Sequence, residues 1–216
     1  MKTFDIANGP AAFIMPHWSK GVGLEQEWLD QTLESIKKQT DPNWKILIAD
    51  GNSPSEEAKD YLRKLEKDFE GNLDVIFMSH SDGPGHARNV AIKKAYESGY
   101  PFIVFLDADD IAHSQRVEIA RKTFLEKPEA GVVYSTFEVI DEYGNLVPQN
   151  KLSQSIVEIL ESHEHNPPQG KEAWIKIATE TGYTNLTSTT SVHTEIAHKY
   201  PFPPEKDLEH NRIGKR

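Results

Sequence analysis

Three aspartates, Asp107, Asp109 and Asp110, stand directly behind the apolar run Phe102-Ile103-Val104-Phe105-Leu106. Five consecutive apolar residues, β-branched or aromatic except for Leu106, predict a strand buried on both faces. Like charges gathered at the end of a buried strand repel one another and lose hydration, a cost that a counter-charge must offset. A divalent cation would offset it, because Mg²⁺ or Mn²⁺ binds carboxylates and completes its shell with phosphate oxygens and water. The spacing points to a metal–diphosphate site at the C-terminal edge of a sheet, where open α/β folds bind ligands. The ordinary alternative is a set of acidic residues that ends a strand and opens a turn.

Other residues with usable chemistry fall at comparable places. Asp50 closes a second apolar run, Trp44 to Ala49, as a turn residue or as an acceptor for a nucleobase or ribose. Arg88 follows Gly83-Pro84-Gly85 in the first turn of a predicted helix, where backbone N–H groups favour anions. Trp18 follows Pro16 and His17, ready to stack on a base or to cover a sheet edge. Several other chemistries are excluded. Gly83-Pro84-Gly85-His86-Ala87-Arg88 lacks the third glycine of a dinucleotide fingerprint and follows a third strand rather than a first. The chain has no G-x-x-x-x-G-K-[ST] loop and no G-x-S-x-G elbow. His163-Glu164-His165 places two histidines at i, i+2, which diverge on a helix, so a solvated loop is expected there.

The elements that must hold these residues alternate. Strands are predicted over Ala11 to Met15, stopped by Pro16, then over Trp44 to Ala49, Leu73 to Met78, Phe102 to Leu106 and Gly131 to Ile140. Between them fall helices with buried faces at Trp28, Leu29, Thr32, Leu33 and Ile36, then at Ala58, Tyr61, Leu62 and Leu65, then at Ala87, Val90, Ala91 and Ala95. Ser53, Pro54 and Glu56 read as a capping box for the second of these helices. Another helix spans about Ser114 to Lys127. Alternation with short connections calls for a mostly parallel sheet with helices on both faces, so four loops rich in Gly, Asp, His or Trp meet at one edge. Beyond Val147 the pattern weakens to helices over Ser153 to His163 and Lys171 to Thr179 and a polar, β-prone stretch from Leu186 to His193.

The 216 residues suffice for one large domain, and 37% hydrophobic with 27% charged residues fits a globular chain. A net charge of −10 argues against general nucleic-acid binding. The lack of cysteine removes disulfides, thiolate metal sites and a cysteine nucleophile. No apolar run approaches a membrane span, and Met1 to Ala12 lacks the pattern of a signal peptide. A cytoplasmic protein is expected, with no transmembrane segment; peripheral membrane contact and the oligomeric state stay open.

In order, Phe13-Ile14-Met15-Pro16, Ile46-Leu47-Ile48-Ala49-Asp50-Gly51-Asn52-Ser53, Gly83-Pro84-Gly85-His86-Ala87-Arg88-Asn89 and Phe105-Leu106-Asp107-Ala108-Asp109-Asp110 resemble the motifs of the family-two glycosyltransferases with a GT-A fold. The resemblance covers about residues 11 to 140. It implies a single GT-A-like α/β domain over 1–216, with 11–140 as the nucleotide-sugar-binding half and 141–216 as an acceptor-side half that would be truncated at its C-terminus, since the family normally continues further. It implies a metal-dependent, inverting transfer of sugar from a nucleotide-diphospho-sugar to a glycan or other hydroxyl acceptor, with Mn²⁺ or Mg²⁺ as cofactor. Pro16, His17, Trp18, Asp50, Gly85, Arg88, Asp107 and Ala108 would then hold the donor. Asp107 and Asp109 would form the D-x-D pair on the metal, with Asp109 the direct ligand. Asp207, the match to the aspartate of the family's later Glu-Asp motif, would be the base, although Lys206 replaces the acid beside it. His17-Trp18, in a longer loop, and Ala49-Asp50 also depart from the family pattern. A sugar nucleotidyltransferase, or a domain that binds nucleotide or glycan without turnover, are the alternatives.

Overall fold

The computed structural model describes residues 4–21, 23–177, 179 and 186–203. Its first strand, β1 (Ala11–His17), runs on through Pro16 rather than stopping there. Neighbouring β4 (Phe102–Phe105) pairs only as far as Ile14, whereas β2 (Trp44–Asp50) pairs to the end, Pro16 opposite Ala49 and His17 opposite Asp50. Ile14 gives its carbonyl to the β4 side, so Pro16, two residues on, also has its nitrogen on that side, beyond the last β4 pairing, and its missing N–H breaks no ladder bond.

With β3 (Leu73–Phe77), β5 (Val132–Tyr134) and β6 (Thr190–His193), these strands form one six-stranded sheet in the order β3-β2-β1-β4-β6-β5. β6 pairs antiparallel with both of its neighbours, and β1 to β4 run parallel. Alternate strand residues feed two cores. Phe13, Met15, Ile46, Ile48, Phe102 and Val104 pack under α1 (Leu24–Lys37), α2 (Glu56–Asp68) and α4 (Arg116–Glu126). Ala12, Ile14, Leu47, Ala49, Ile103 and Phe105 pack under α3 (Pro84–Ser98) and α7 (Thr194–Lys199). This period of two, buried on both sides, is the expected mixed α/β layer structure.

Three sequence expectations are corrected. The cap of α2 is Ser55, whose hydroxyl accepts from the Ala58 amide; Ser53 is turned inward to other partners. The strand expected to Ile140 ends at Tyr134, because its pairing partner β6 is only four residues long; Ile140 makes a lone bridge to Leu146. His163 and His165 end a helix, α5 (Gln154–His165), rather than lying in a loop, and the His163 ring packs on Tyr134 and Phe137. Another short helix, α6 (Ala173–Lys176), follows. Among the described residues no helix is long and apolar enough to cross a membrane.

Candidate functional site

Because β2 and β4 flank β1 on opposite sides, the chain leaves the sheet in different directions at their C-terminal ends, and a crevice opens there. A cleft of about 910 Å³ fills this place. Its walls come from Pro16 and His17 at the end of β1 and Trp18 just behind it, Gly51 and Asn52 after β2, His80, Ser81, Gly83, Pro84, Ala87 and Arg88 after β3, and Asp107, Ala108 and Asp109 after β4. Four loops predicted to share one edge do share it.

Asp50 lies beneath this cleft, fully buried. Its carboxylate receives His17 Nδ1 at 2.9 Å, the Ser53 amide at 3.0 Å and the Ser53 hydroxyl. Burial pushes the carboxyl up, but the bonds from His17 and Ser53 outweigh it and hold it below its ordinary value. An ionised carboxylate only accepts, so His17 donates from Nδ1 and turns its other ring edge away from Asp50. Asp50, expected to meet the donor directly, has its carboxylate turned to His17 and Ser53 and does not line the cleft, whereas His17 does. Ser53 Oγ also accepts from the Ser19 amide at 2.9 Å, so one buried hydroxyl ties the loop after β1 to the loop after β2. Gly51 lies close against Ser81 at this junction, where a Cβ would stand 2.8 Å from Ser81 Oγ. Trp18 is half exposed, with the Lys20 ammonium 5.7 Å from its ring centroid.

The acidic edge is built from further away. Arg88, largely buried, pairs with Asp107 at 2.5 Å. The Asp107 amide donates to Ser188 Oγ at 3.0 Å, and Arg116 Nη1 holds the Ser188 carbonyl at 2.8 Å. Thr32 on α1 donates to the Ala108 carbonyl at 3.0 Å, and Ser35 accepts from the Ala112 amide at 3.0 Å. Asp109 stays exposed. Burial, with the charges of Asp109 and Asp107, pushes the Asp110 carboxyl up, against a lowering hydrogen bond from Ser188 and the Arg88 charge. A second cavity of about 350 Å³ lies on the other side of Asp109, and Trp28 and Asp109 border both.

Gly85 does not line the cleft. It faces Phe202, whose Cβ would be 3.2 Å from a Cβ at that position. Asn89 fixes Phe202 through two reciprocal 2.9 Å bonds, and the Phe202 ring lies 5.5 Å from the Arg88 guanidinium. The chain after α7 thus returns to the acidic edge as far as Pro203; Asp207 lies outside the described residues. Ser188 and Arg116 escaped the sequence reading, and Ser53 entered it only as a helix cap. Their types are common, and only the meeting of distant elements gives them a role.

The sequence model described as Glycosyl transferase family 2 matches residues 14–190. An Escherichia coli protein named UDP-Glc:alpha-D-GlcNAc-diphosphoundecaprenol beta-1,3-glucosyltransferase WfgD is 28% identical over 146 residues, 66% of this chain and 52% of that protein. Residues 1–349 of TarS from S. aureus superpose with a TM-score of 0.63 at 20% identity, covering 91% of this chain and 51% of the other. A mannosyltransferase of Pyrobaculum calidifontis, solved with GDP-Man and Mn²⁺, gives 0.59 at 17% identity, covering 94% of this chain and 50% of the other. The two structures show a shared GT-A-like fold. The chain spans about half the length of WfgD, of residues 1–349 of TarS and of the mannosyltransferase chain, and 16% and 11% of other curated relatives.

Proposed function

The chain belongs to glycosyl transferase family 2, and on that premise we propose that it works as a nucleotide-sugar-dependent glycosyltransferase that inverts the anomeric carbon. The observation that carries this reading is the Arg88–Asp107 pair beside Asp109 and Asp110, facing His17 and Trp18 across one cleft. A cationic, carboxylate-rich wall suits a metal-bound diphosphate, and an aromatic and imidazole wall suits a base and its ribose. TarS has been solved with UDP-GlcNAc and the mannosyltransferase with GDP-Man and Mn²⁺, which favours a nucleotide sugar here.

The residues fit a hard divalent cation, Mn²⁺ or Mg²⁺. Three carboxylates crowd one turn, where burial first, and then the charges of Asp109 and Asp107, push the Asp110 carboxyl up. Asp109 and Asp107 would hold the ion, with Arg88 and Ser188 keeping Asp107 in place. When bound, the ion supplies charge stabilisation of the leaving diphosphate. Pro16, His17, Trp18 and Ala108 would hold the rest of the donor, with Asp50 fixing His17 from below.

In the transfer the acceptor oxygen bonds to the anomeric carbon while the carbon–phosphate-oxygen bond breaks. The electron pair leaves on the nucleoside diphosphate, and the hydroxyl proton passes to a carboxylate base. Asp207 is proposed for that base. It follows Pro203 by four residues, a reach of at most about 14 Å, and Pro203 itself lies against Gly85. A glycan or other hydroxyl acceptor and a cytoplasmic setting complete the proposal. Product analysis with a panel of nucleotide sugars and Mn²⁺ tests it. Release of nucleoside diphosphate with a new glycoside is expected; pyrophosphate, or binding without turnover, would overturn it.

A further inference from the structure

We propose that His80, Asp82 and His86 form a second metal site, for a transition ion of the Zn²⁺ type, on the rim of the cleft. One ligand atom from each of the three side chains lies within 4.8 Å of the others. The two imidazole rings stand 5.2 Å apart, and His86 Nδ1 is 4.0 Å from the Asp82 carboxylate. Bonds near 2 Å in a tetrahedron place ligand atoms about 3.3 Å apart. Rotation of these side chains by about 1 Å closes the difference, and His80 and Asp82 are exposed and His86 half-buried, so little packing opposes it.

The loop that carries them is already shaped. The Ser81 hydroxyl accepts from the Gly83 amide at 3.2 Å, and Gly83 has a φ of 90°, a left-handed turn that sends the chain into α3. The Asp82 amide donates to His86 Nδ1 at 3.3 Å, which folds the loop back onto the first turn of the helix; an ion at Nδ1 takes over that lone pair, and one at Nε2 leaves the bond in place. Ser81 is in turn wedged against Gly51. A metal therefore gathers groups that the backbone has brought together, and little loop entropy is lost.

The ligand set chooses the ion. Two imidazoles and one carboxylate suit Zn²⁺, Co²⁺ or Ni²⁺, whereas the all-oxygen set after β4 suits Mg²⁺ or Mn²⁺. Three protein ligands leave a fourth position for water or a ligand oxygen. His80 lines the cleft, so an ion here borders the space assigned to the donor. The proposal stands without the transfer reading, because it concerns different residues and a different class of ion.

Visible absorption of Co²⁺ titrated into the metal-free, tag-free chain tests it directly. One equivalent should give the intense bands of a four-coordinate ion, be displaced by Zn²⁺, and persist in millimolar Mg²⁺. His80→Gln, Asp82→Asn and His86→Gln should each weaken binding by roughly tenfold or more, with unchanged far-ultraviolet circular dichroism. Asp109→Asn should leave the spectrum as it is, which separates this site from the carboxylates after β4. No saturable band, a band unchanged in the His80→Gln/His86→Gln double variant, or a band lost in Asp109→Asn would each overturn the proposal.

Discussion

His17 Nδ1 meets the Asp50 carboxylate at 2.9 Å, joining the last residues of two paired strands. One residue faces the cleft and the other is fully buried, so the contact carries the order of the sheet to the surface. The folded carboxyl sits below its ordinary value. Its contribution is complete above the unfolded value, near 3.9, and is lost as pH falls through the lower folded one. Asp50→Asn should cost about 1–3 kcal/mol in urea unfolding at pH 7. The gap between wild type and variant should narrow below about pH 4. A gap independent of pH would show that the carboxylate charge is not what matters.

The acidic edge has the opposite sign. Asp110 is held above its ordinary value, so its ionised form burdens the fold as pH rises past that value, and the burden is complete above the raised one. Asp110→Asn should therefore match or exceed the metal-free wild type in stability at pH 7. A nucleoside diphosphate with Mn²⁺ should stabilise the wild type by about 2–3 kcal/mol at ~100 times its dissociation constant. Asp109→Ala should abolish that gain while the metal-free variant still folds. An equal gain in EDTA would remove the metal from the account.

Ser188 reaches Asp107 from the far end of the sequence, through the amide rather than the carboxylate. Ser188→Ala should cost about 1 kcal/mol of stability. Its larger effect should be on donor KM, a rise of about tenfold, equivalent to about 1.4 kcal/mol. If KM is unchanged while stability falls, Ser188 supports the fold and not the site.

Asp207→Asn should leave nucleotide and metal binding intact and slow transfer by about 10²–10⁴-fold. Loss of nucleotide binding would place Asp207 on the donor side. Unchanged transfer would pass the role to another acid, such as Glu205 or Glu209.

Residues 149–170 should exchange their amides quickly without ligand. The helix within them, α5, buries only Ile159, and loops that close over sites come from such weakly held segments. Protection equal to that of β4 would count against any movement there.

The half of the fold that holds the cleft was legible because its strands are mostly apolar runs, interrupted within by Lys45 and Asp74, and each leads into polar loop residues. Parallel order then sends Trp18, Asp50, Arg88 and Asp107 to one edge without further information. The second half was legible only in part: helices near α5 and α6 and a β-prone stretch over Leu186 to His193 could be read, but not the place of β6 in the sheet. β6 is Thr190-Ser191-Val192-His193, with no apolar alternation, and it becomes a strand only because β4 and β5 offer it two open edges. Ser53 was misread for a similar reason. Its local sequence fits a helix cap, but a buried carboxylate three residues earlier competes for the hydroxyl and wins, leaving Ser55 to cap the helix. The depth of Asp50 was also hidden, since a strand-ending aspartate looks the same whether it faces a ligand or a neighbouring histidine.

The placement of β6 between β4 and β5 has a consequence for how the chain is made. β4 is complete at residue 105 and β5 at 134, yet neither can close its facing edge until residues 190–193 leave the ribosome. For that interval the innermost strand of the site is an unpaired edge, the kind that recruits foreign strands. The nascent chain must wait for β6 before it is safe from its neighbours, and Ser188, two residues ahead of that strand, reaches Asp107 in the same step. Closure of the sheet and completion of the acidic edge are thus one event in synthesis. Pulse-labelled exchange during refolding would register it as simultaneous protection of Ile103, whose amide faces β6, and Asp107, and clearly separate phases for the two would contradict it.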